Sequence, residues 1–211
     1  SKVPNSGPTV ASRTVMIVGQ LVQSACIGLK ETLVQGGFIK EDYTREEFLN
    51  GLERYLQEFG KLKSLAKYKA PKGLVWNDET YEGDAYASYA WAVYVAEVTV
   101  DTVTYETVVD DFVALQEVGK VINPTLAAGQ IEGGVAQAIG YGIYEKVVWE
   151  EGRMINNRMT NYIMPTAADL PPIRVFFEES ANPHGPWGAK GIGELPMDGA
   201  APAILSAVEN A

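Results

Sequence analysis

The sequence predicts an α+β fold, mixed β-sheets with helices packed around them, and three observations predict it. Apolar residues recur at helical spacing from Val18 to Leu33 and again from Phe48 to Phe59. From Tyr86 to about Val118, valine, tyrosine and threonine dominate, as in strands. Beyond that point, glycine- and proline-bearing loops separate a glycine-rich helix, a hairpin, a further strand and a closing helix.

Each element follows from its own residues. Gly7-Pro8-Thr9 introduces a helix expected to begin at Thr9, with Val18, Leu21, Val22, Ala25, Cys26, Leu29 and Leu33 on its apolar face. It should end near Gly36-Gly37. A second helix starts at Thr44, where Glu47 completes a capping box, and Gly60 stops it. Residues 61–85 are polar and turn-rich and read as an excursion with little regular structure. Residues 92–100 and 105–115 read as two strands joined by a turn at Asp101-Thr102.

After the loop Gly119 to Pro124, a helix is expected from Leu126 or Gly129 to Tyr144. Its glycines at 129, 133, 134, 140 and 142 each weaken a helix by about 1 kcal/mol against alanine. They imply close packing, against another backbone or against a ligand. Val147 to Ile155 makes a hairpin about Glu150-Glu151-Gly152, Ile173 to Glu178 a strand, and Leu195 to Asn210 a helix.

Composition excludes several functions. At 211 residues the chain can bury roughly 70% of its unfolded surface and needs no disulfide or metal staple. A net charge of −10 argues against a nucleic-acid partner and against anionic lipid. One cysteine, Cys26, rules out a cysteine-ligated cluster from this chain alone, and its place in an apolar run predicts a buried small hydrophobe. One histidine, His184, excludes a multi-histidine metal site. No apolar stretch reaches membrane-spanning length and no signal peptide is visible, so a cytoplasmic location is the default. The opening Ser1-Lys2-Val3-Pro4, without methionine, reads as part of a larger or trimmed polypeptide.

The stretch Gly188-Ala189-Lys190-Gly191-Ile192-Gly193-Glu194-Leu195-Pro196 carries the chemistry. Glycines let backbone approach a ligand, and a helix start adds free amides and a positive dipole end. Glu194 is there either a base beside a bound group or a helix cap. Lys190 is either a counter-charge to an anionic ligand or a solvated loop lysine.

Three segments together resemble one family: Ser6 to Arg13; Val118 to Pro124 running into Gly129-Gln130-Ile131-Glu132-Gly133-Gly134; and Gly188 to Pro196. In this order they are similar to the C-terminal part of the molybdenum-cofactor subunit of the molybdenum hydroxylases, which include xanthine dehydrogenases and aldehyde oxidoreductases. Asn161 to Pro165 and the intervening strands fit as well, so the likeness covers nearly all of residues 1–211, the C-terminal half of a molybdenum-cofactor-binding domain.

The resemblance implies a molybdenum–pterin cofactor, bare or as its cytosine dinucleotide. Glu194 then matches the base that takes a proton from the metal's hydroxyl, which requires partial burial to raise its proton affinity. Gln130 matches a glutamine on the cofactor, its amide able to donate and accept. Thr9, Val10, Ala11 and Ser12 match the corner that wraps the cofactor and walls the substrate pocket, although Thr9 and Ser12 can equally be helix caps. Gly129, Gly191 and Gly193 complete the cofactor-binding set, together with Lys190.

The implied activity is oxidation of a purine, N-heterocycle or aldehyde with water-derived oxygen. Iron–sulfur clusters and FAD are expected on partner chains, and the first half of the molybdenum subunit is also required. Without these partners the polypeptide is expected to be inactive. The alternatives are a reductive relative acting on an aromatic CoA thioester and a non-catalytic scaffold fragment.

Overall fold

The computed structural model describes residues 4–211; the opening Ser1-Lys2-Val3, expected above to belong to a larger polypeptide, lies outside them. The chain divides into two compact units. One comprises residues 4–7, 14–87 and 184–186; the other comprises Pro8–Arg13, Ser88–Pro183 and Trp187–Ala211.

The first unit holds two helices, α1 (Gln20–Gln35) and α2 (Arg45–Phe59), and a short antiparallel pair, β1 (Trp76–Asn77) with β2 (Glu82–Gly83). The expected start at Thr9 is corrected here: Ala11 and Ser12 take φ of 53° and 51°, which no right-handed helix accommodates. Helical structure instead begins as wide π-type turns at Thr14–Gly19 and tightens into α1. Cys26 is exposed, not buried: it shares a helix face with Leu33, seven residues on, but of α1 only Leu33 is fully covered. The apolar spacing forms the helix, but Val22 and Ile27 are left about half exposed. In α2 the capping box is formed as expected: the Glu47 amide donates to Thr44 Oγ1 at 3.2 Å and the Thr44 amide to Glu47 Oε2 at 2.7 Å. Gly60 ends the helix with φ of 73°.

The second unit is built on a three-stranded sheet of order β3-β4-β7, with β3 (Trp91–Val100), β4 (Thr107–Glu117) and β7 (Ile173–Glu178). β3 runs antiparallel to β4, with a bulge between the Glu97–Asp111 and Val98–Val109 pairs. β7 is parallel to β4. Parallel strands need a long crossover. Here it contains α3 (Pro124–Ile139), a π-type turn at Gly140–Tyr144, and the hairpin β5 (Trp149–Glu150) and β6 (Arg153–Met154). The closing helix, α4, spans Leu195–Asn210 as expected.

α3 begins at Pro124 rather than at Leu126 or Gly129, because Asn123 caps it: the Leu126 amide donates to the Asn123 carbonyl oxygen at 3.1 Å. The core joins Phe112 and Ala114 of β4 to Ile131, Val135, Ala138 and Ile139 of α3 and to Ala200 and Ile204 of α4. The glycines of α3 divide by role. A Cβ at Gly134 would lie 2.5 Å from Pro196, so this glycine lets α3 and α4 cross closely. Around Gly129 and Gly133 a Cβ would meet nothing within 4 Å.

Candidate active site

The Glu194 segment is fastened at both ends. At its start, Gly119 and Ala189 form an antiparallel bridge; the Lys190 amide donates to the Val118 carbonyl at 2.8 Å and the Lys120 amide to Gly188 at 2.9 Å. Gly119, at φ of 64°, lies so near the Gly188 carbonyl that a Cβ would come within 2.1 Å of its oxygen. Asn182, 2% exposed, donates its side-chain amide to the Ala189 carbonyl at 3.0 Å.

At its end, the Glu194 amide donates to Ser12 Oγ at 2.8 Å. Ser12 therefore serves the start of α4 rather than capping the first helix. The corner that presents it is a turn closed by the Arg13 amide on the Val10 carbonyl at 3.3 Å, with Ala11 and Ser12 both left-handed. Non-glycine residues held so cost on the order of 1–3 kcal/mol each, and such strain concentrates at functional sites. Gly191 packs against this corner so tightly that a Cβ would overlap the Ser12 carbonyl oxygen, 1.4 Å away. Gly193 has its nearest such neighbour, Ser12 Oγ, at 3.6 Å. The two distant motifs at residues 9–12 and 188–194 are thus brought together.

Glu194 is exposed, contrary to the partial burial expected of it, and its side chain does not cap α4. Thr9, Val10, Ala11, Gly129 and Gln130 are also exposed, and Gln130 lies within α3 rather than at its start. Lys190 is not a solvated lysine. Its side chain is 11% exposed and its Nζ lies 2.5 Å from Glu117 Oε2, while also donating to the Tyr89 carbonyl at 2.7 Å. Burial works against the Glu117 charge, but Lys190, the Ser180 hydroxyl and the Gly119 amide outweigh it and hold the carboxyl below the usual glutamate range.

Beneath this loop runs a second chain of bonds that sequence reasoning did not single out. Gln116 Nε2 donates to the Tyr94 hydroxyl at 2.6 Å, which donates to the Leu195 carbonyl at 2.7 Å. Burial pushes the Tyr94 phenol up to about 12, against the opposing pull of Gln116, so it stays a neutral donor. Gln116 is fully buried, and its Oε1 has no partner among the described residues. Two adjacent polar residues, Gln116-Glu117, following the apolar run Phe112 to Leu115 were the signal that could have flagged this network.

Among the described residues, no three His, Cys, Asp or Glu side chains gather to hold a metal ion, and no helix is long and apolar enough to cross a membrane. A cleft of about 760 Å³ lies between Tyr105–Asp110, Ile143–Tyr144 and Ala168–Pro172. None of the candidate residues lines it, so it is not the site the motifs define.

The family model described as a molybdopterin cofactor-binding domain matches residues 1–171. The chain is 40% identical over 102 residues to 6-hydroxypseudooxynicotine dehydrogenase complex subunit gamma of Paenarthrobacter nicotinovorans, a match covering 47% of this chain and 13% of that protein. Over 105 residues it is 33% identical to the xanthine dehydrogenase molybdenum-binding subunit of Escherichia coli O157:H7, covering 49% and 14%. The solved aldehyde oxidoreductase of Desulfovibrio gigas superposes on all of this chain and 22% of its own, with a TM-score of 0.81 and 29% identity. The chain thus spans under a quarter of the length of each. An α+β unit that brings all three motifs onto one fold, matched by the family model over most of its length, belongs to the molybdopterin cofactor-binding domain family of xanthine dehydrogenase-like molybdenum oxidoreductases.

Proposed function

We propose that this chain supplies the general base and part of the cofactor wall of a molybdenum hydroxylase that oxidises a purine, N-heterocycle or aldehyde with water-derived oxygen. It acts with the rest of the molybdenum subunit, an iron–sulfur subunit and a flavin subunit. The observation that carries this reading is the 2.8 Å bond from the Glu194 amide to Ser12 Oγ. It ties the carboxylate-bearing turn to the strained corner while leaving the carboxylate itself exposed.

The residues present fit a cofactor held through its organic part. Gly129 and Gly133 leave open space along α3 beside exposed Gln130. There the Gln130 amide can both donate to and accept from a pterin edge. The Ala11-Ser12 turn offers backbone amides to a phosphate, and Gly193 keeps the approach to Glu194 free of a side chain. When bound, the molybdenum–pterin group supplies the two-electron sink for substrate oxidation. Glu194 receives the proton released in that step. In this chain the carboxylate faces solvent. Its enclosure therefore has to come from the cofactor and the rest of the subunit. Relatives named for 6-hydroxypseudooxynicotine and for xanthine support an N-heterocyclic substrate.

The test is Glu194→Ala in the assembled enzyme. Turnover is expected to fall about 10²–10⁴-fold while molybdenum content by metal analysis stays at the wild-type level. Retained turnover would replace this reading with that of a scaffold.

A further inference from the structure

We propose that Lys190 and Glu117 are a positioning pair that sets where the Glu194 carboxylate stands, the lysine charge being neutralised inside the fold rather than offered to the cofactor. This rests on the reading of Glu194 as the base. Both side chains are buried, at 11% and 8% exposure, with Nζ 2.5 Å from Oε2. The second carboxylate oxygen is also taken: the Gly119 amide and the Ser180 hydroxyl each donate to Oε1 at 2.8 Å. One glutamate therefore ties the end of β4 to the strand-following residue 180 and to the loop at residue 190. The nearby Lys120–Glu179 pair, 55% and 43% exposed at 3.0 Å, has no such enclosure and holds much less firmly.

Geometry carries the consequence to Glu194. Only Gly191, Ile192 and Gly193 separate it from Lys190. Two of these three have no side chain with which to anchor the turn. Its course is set at its ends, by Lys190 on Glu117 and Val118 and by the Glu194 amide on Ser12. Removing the Lys190 side chain leaves the loop its backbone bond to Val118 and its Gly191–Ser12 contact but frees it from Glu117 and Tyr89, and a misplacement of about 1 Å at a reacting group costs on the order of 100-fold in rate.

The experiment measures kcat, KM, the pH profile of kcat/KM and molybdenum and pterin content in the assembled enzyme carrying Lys190→Met, Glu117→Gln or both. Lys190→Met is expected to keep its molybdenum and its KM, to lose kcat roughly 10–100-fold, and to shift the acid limb of the profile. The double variant is expected to recover the stability that an unpaired buried charge costs but to keep the lowered kcat, because it too lacks the tie. Should Lys190→Met fail to assemble, Glu117→Gln carries the test, since its amide oxygen can still accept from Gly119 and Ser180.

Unchanged kcat and pH profile in the single variants would overturn the proposal. So would cofactor loss in step with activity that the double variant does not repair, which would put the lysine on the cofactor. Glu194→Ala run alongside separates the two readings. Full activity there removes the base itself; loss there with wild-type kcat in Lys190→Met removes only the pair.

Discussion

Residues 61–75 and residues 189–194 both lack regular strands and helices, yet they are held by opposite means. The first stretch has no buried residue and is bound locally, by the Leu74 amide on Pro71 and the Val75 amide on Asp84. The second is stitched to residues more than a hundred positions away: its Lys190 amine to Tyr89 and its Glu194 amide to Ser12. Irregular backbone is thus no measure of looseness. What separates the two is whether buried polar groups elsewhere depend on the stretch for their partners.

The comparison breaks most sharply at glycine. Gly191→Ala is expected to destabilise the second unit by about 3 kcal/mol, read by urea unfolding, because its methyl group would overlap the Ser12 carbonyl. The counterpart Gly73→Ala has open space on every side and only its φ of 90° against it, so a loss of about 1–2 kcal/mol is expected. Equal losses would show that the site loop is no better packed than the excursion.

A smaller effect is expected from Tyr94→Phe. Removing the hydroxyl deprives the Leu195 carbonyl of a donor and leaves buried Gln116 without an acceptor for its amide. About 1–3 kcal/mol should be lost. Thermal unfolding measures it, and an unchanged midpoint would mean that this chain of bonds does not support the start of α4.

The smallest effect concerns acid. Glu117 titrates below its ordinary range in the folded chain, so its contribution is complete above the unfolded glutamate value of about 4.3. It is lost as pH falls through the lower folded value, where the unfolded chain binds the proton first. Asp111 and Glu179 are also held low by hydrogen bonds from Arg174 and Lys120 and share this acid loss. The difference between wild type and Glu117→Gln isolates the site loop: between pH 6 and 3 the variant should lose stability less steeply. Parallel slopes would show that the buried pair does not stabilise the fold.

Local chemistry made much of the architecture legible. The Thr44–Glu47 box, Gly60, strand Ile173–Glu178 and helix Leu195–Asn210 are each specified by residues within a turn or a strand of one another. Where a local signal was misread, another local rule prevailed: Asn123 and Pro124 start α3 ahead of Gly129, and the left-handed Ala11 and Ser12 delay the first helix to Thr14. The motifs at residues 9–12, 129–134 and 188–194 pointed to the candidate site through their resemblance, in that order, to one family.

The sequence by itself determined which segments are helical or extended and which residues could do chemistry, since propensity, capping and periodicity act over a few positions. Only the tertiary structure decided that Lys190 faces Glu117, that Gly191 abuts Ser12, that Gly134 but not Gly133 packs on α4, and that Glu194 and Cys26 lie exposed. Those outcomes depend on which distant surfaces meet, and burial and pairing become defined only once the sheet and its helices have closed.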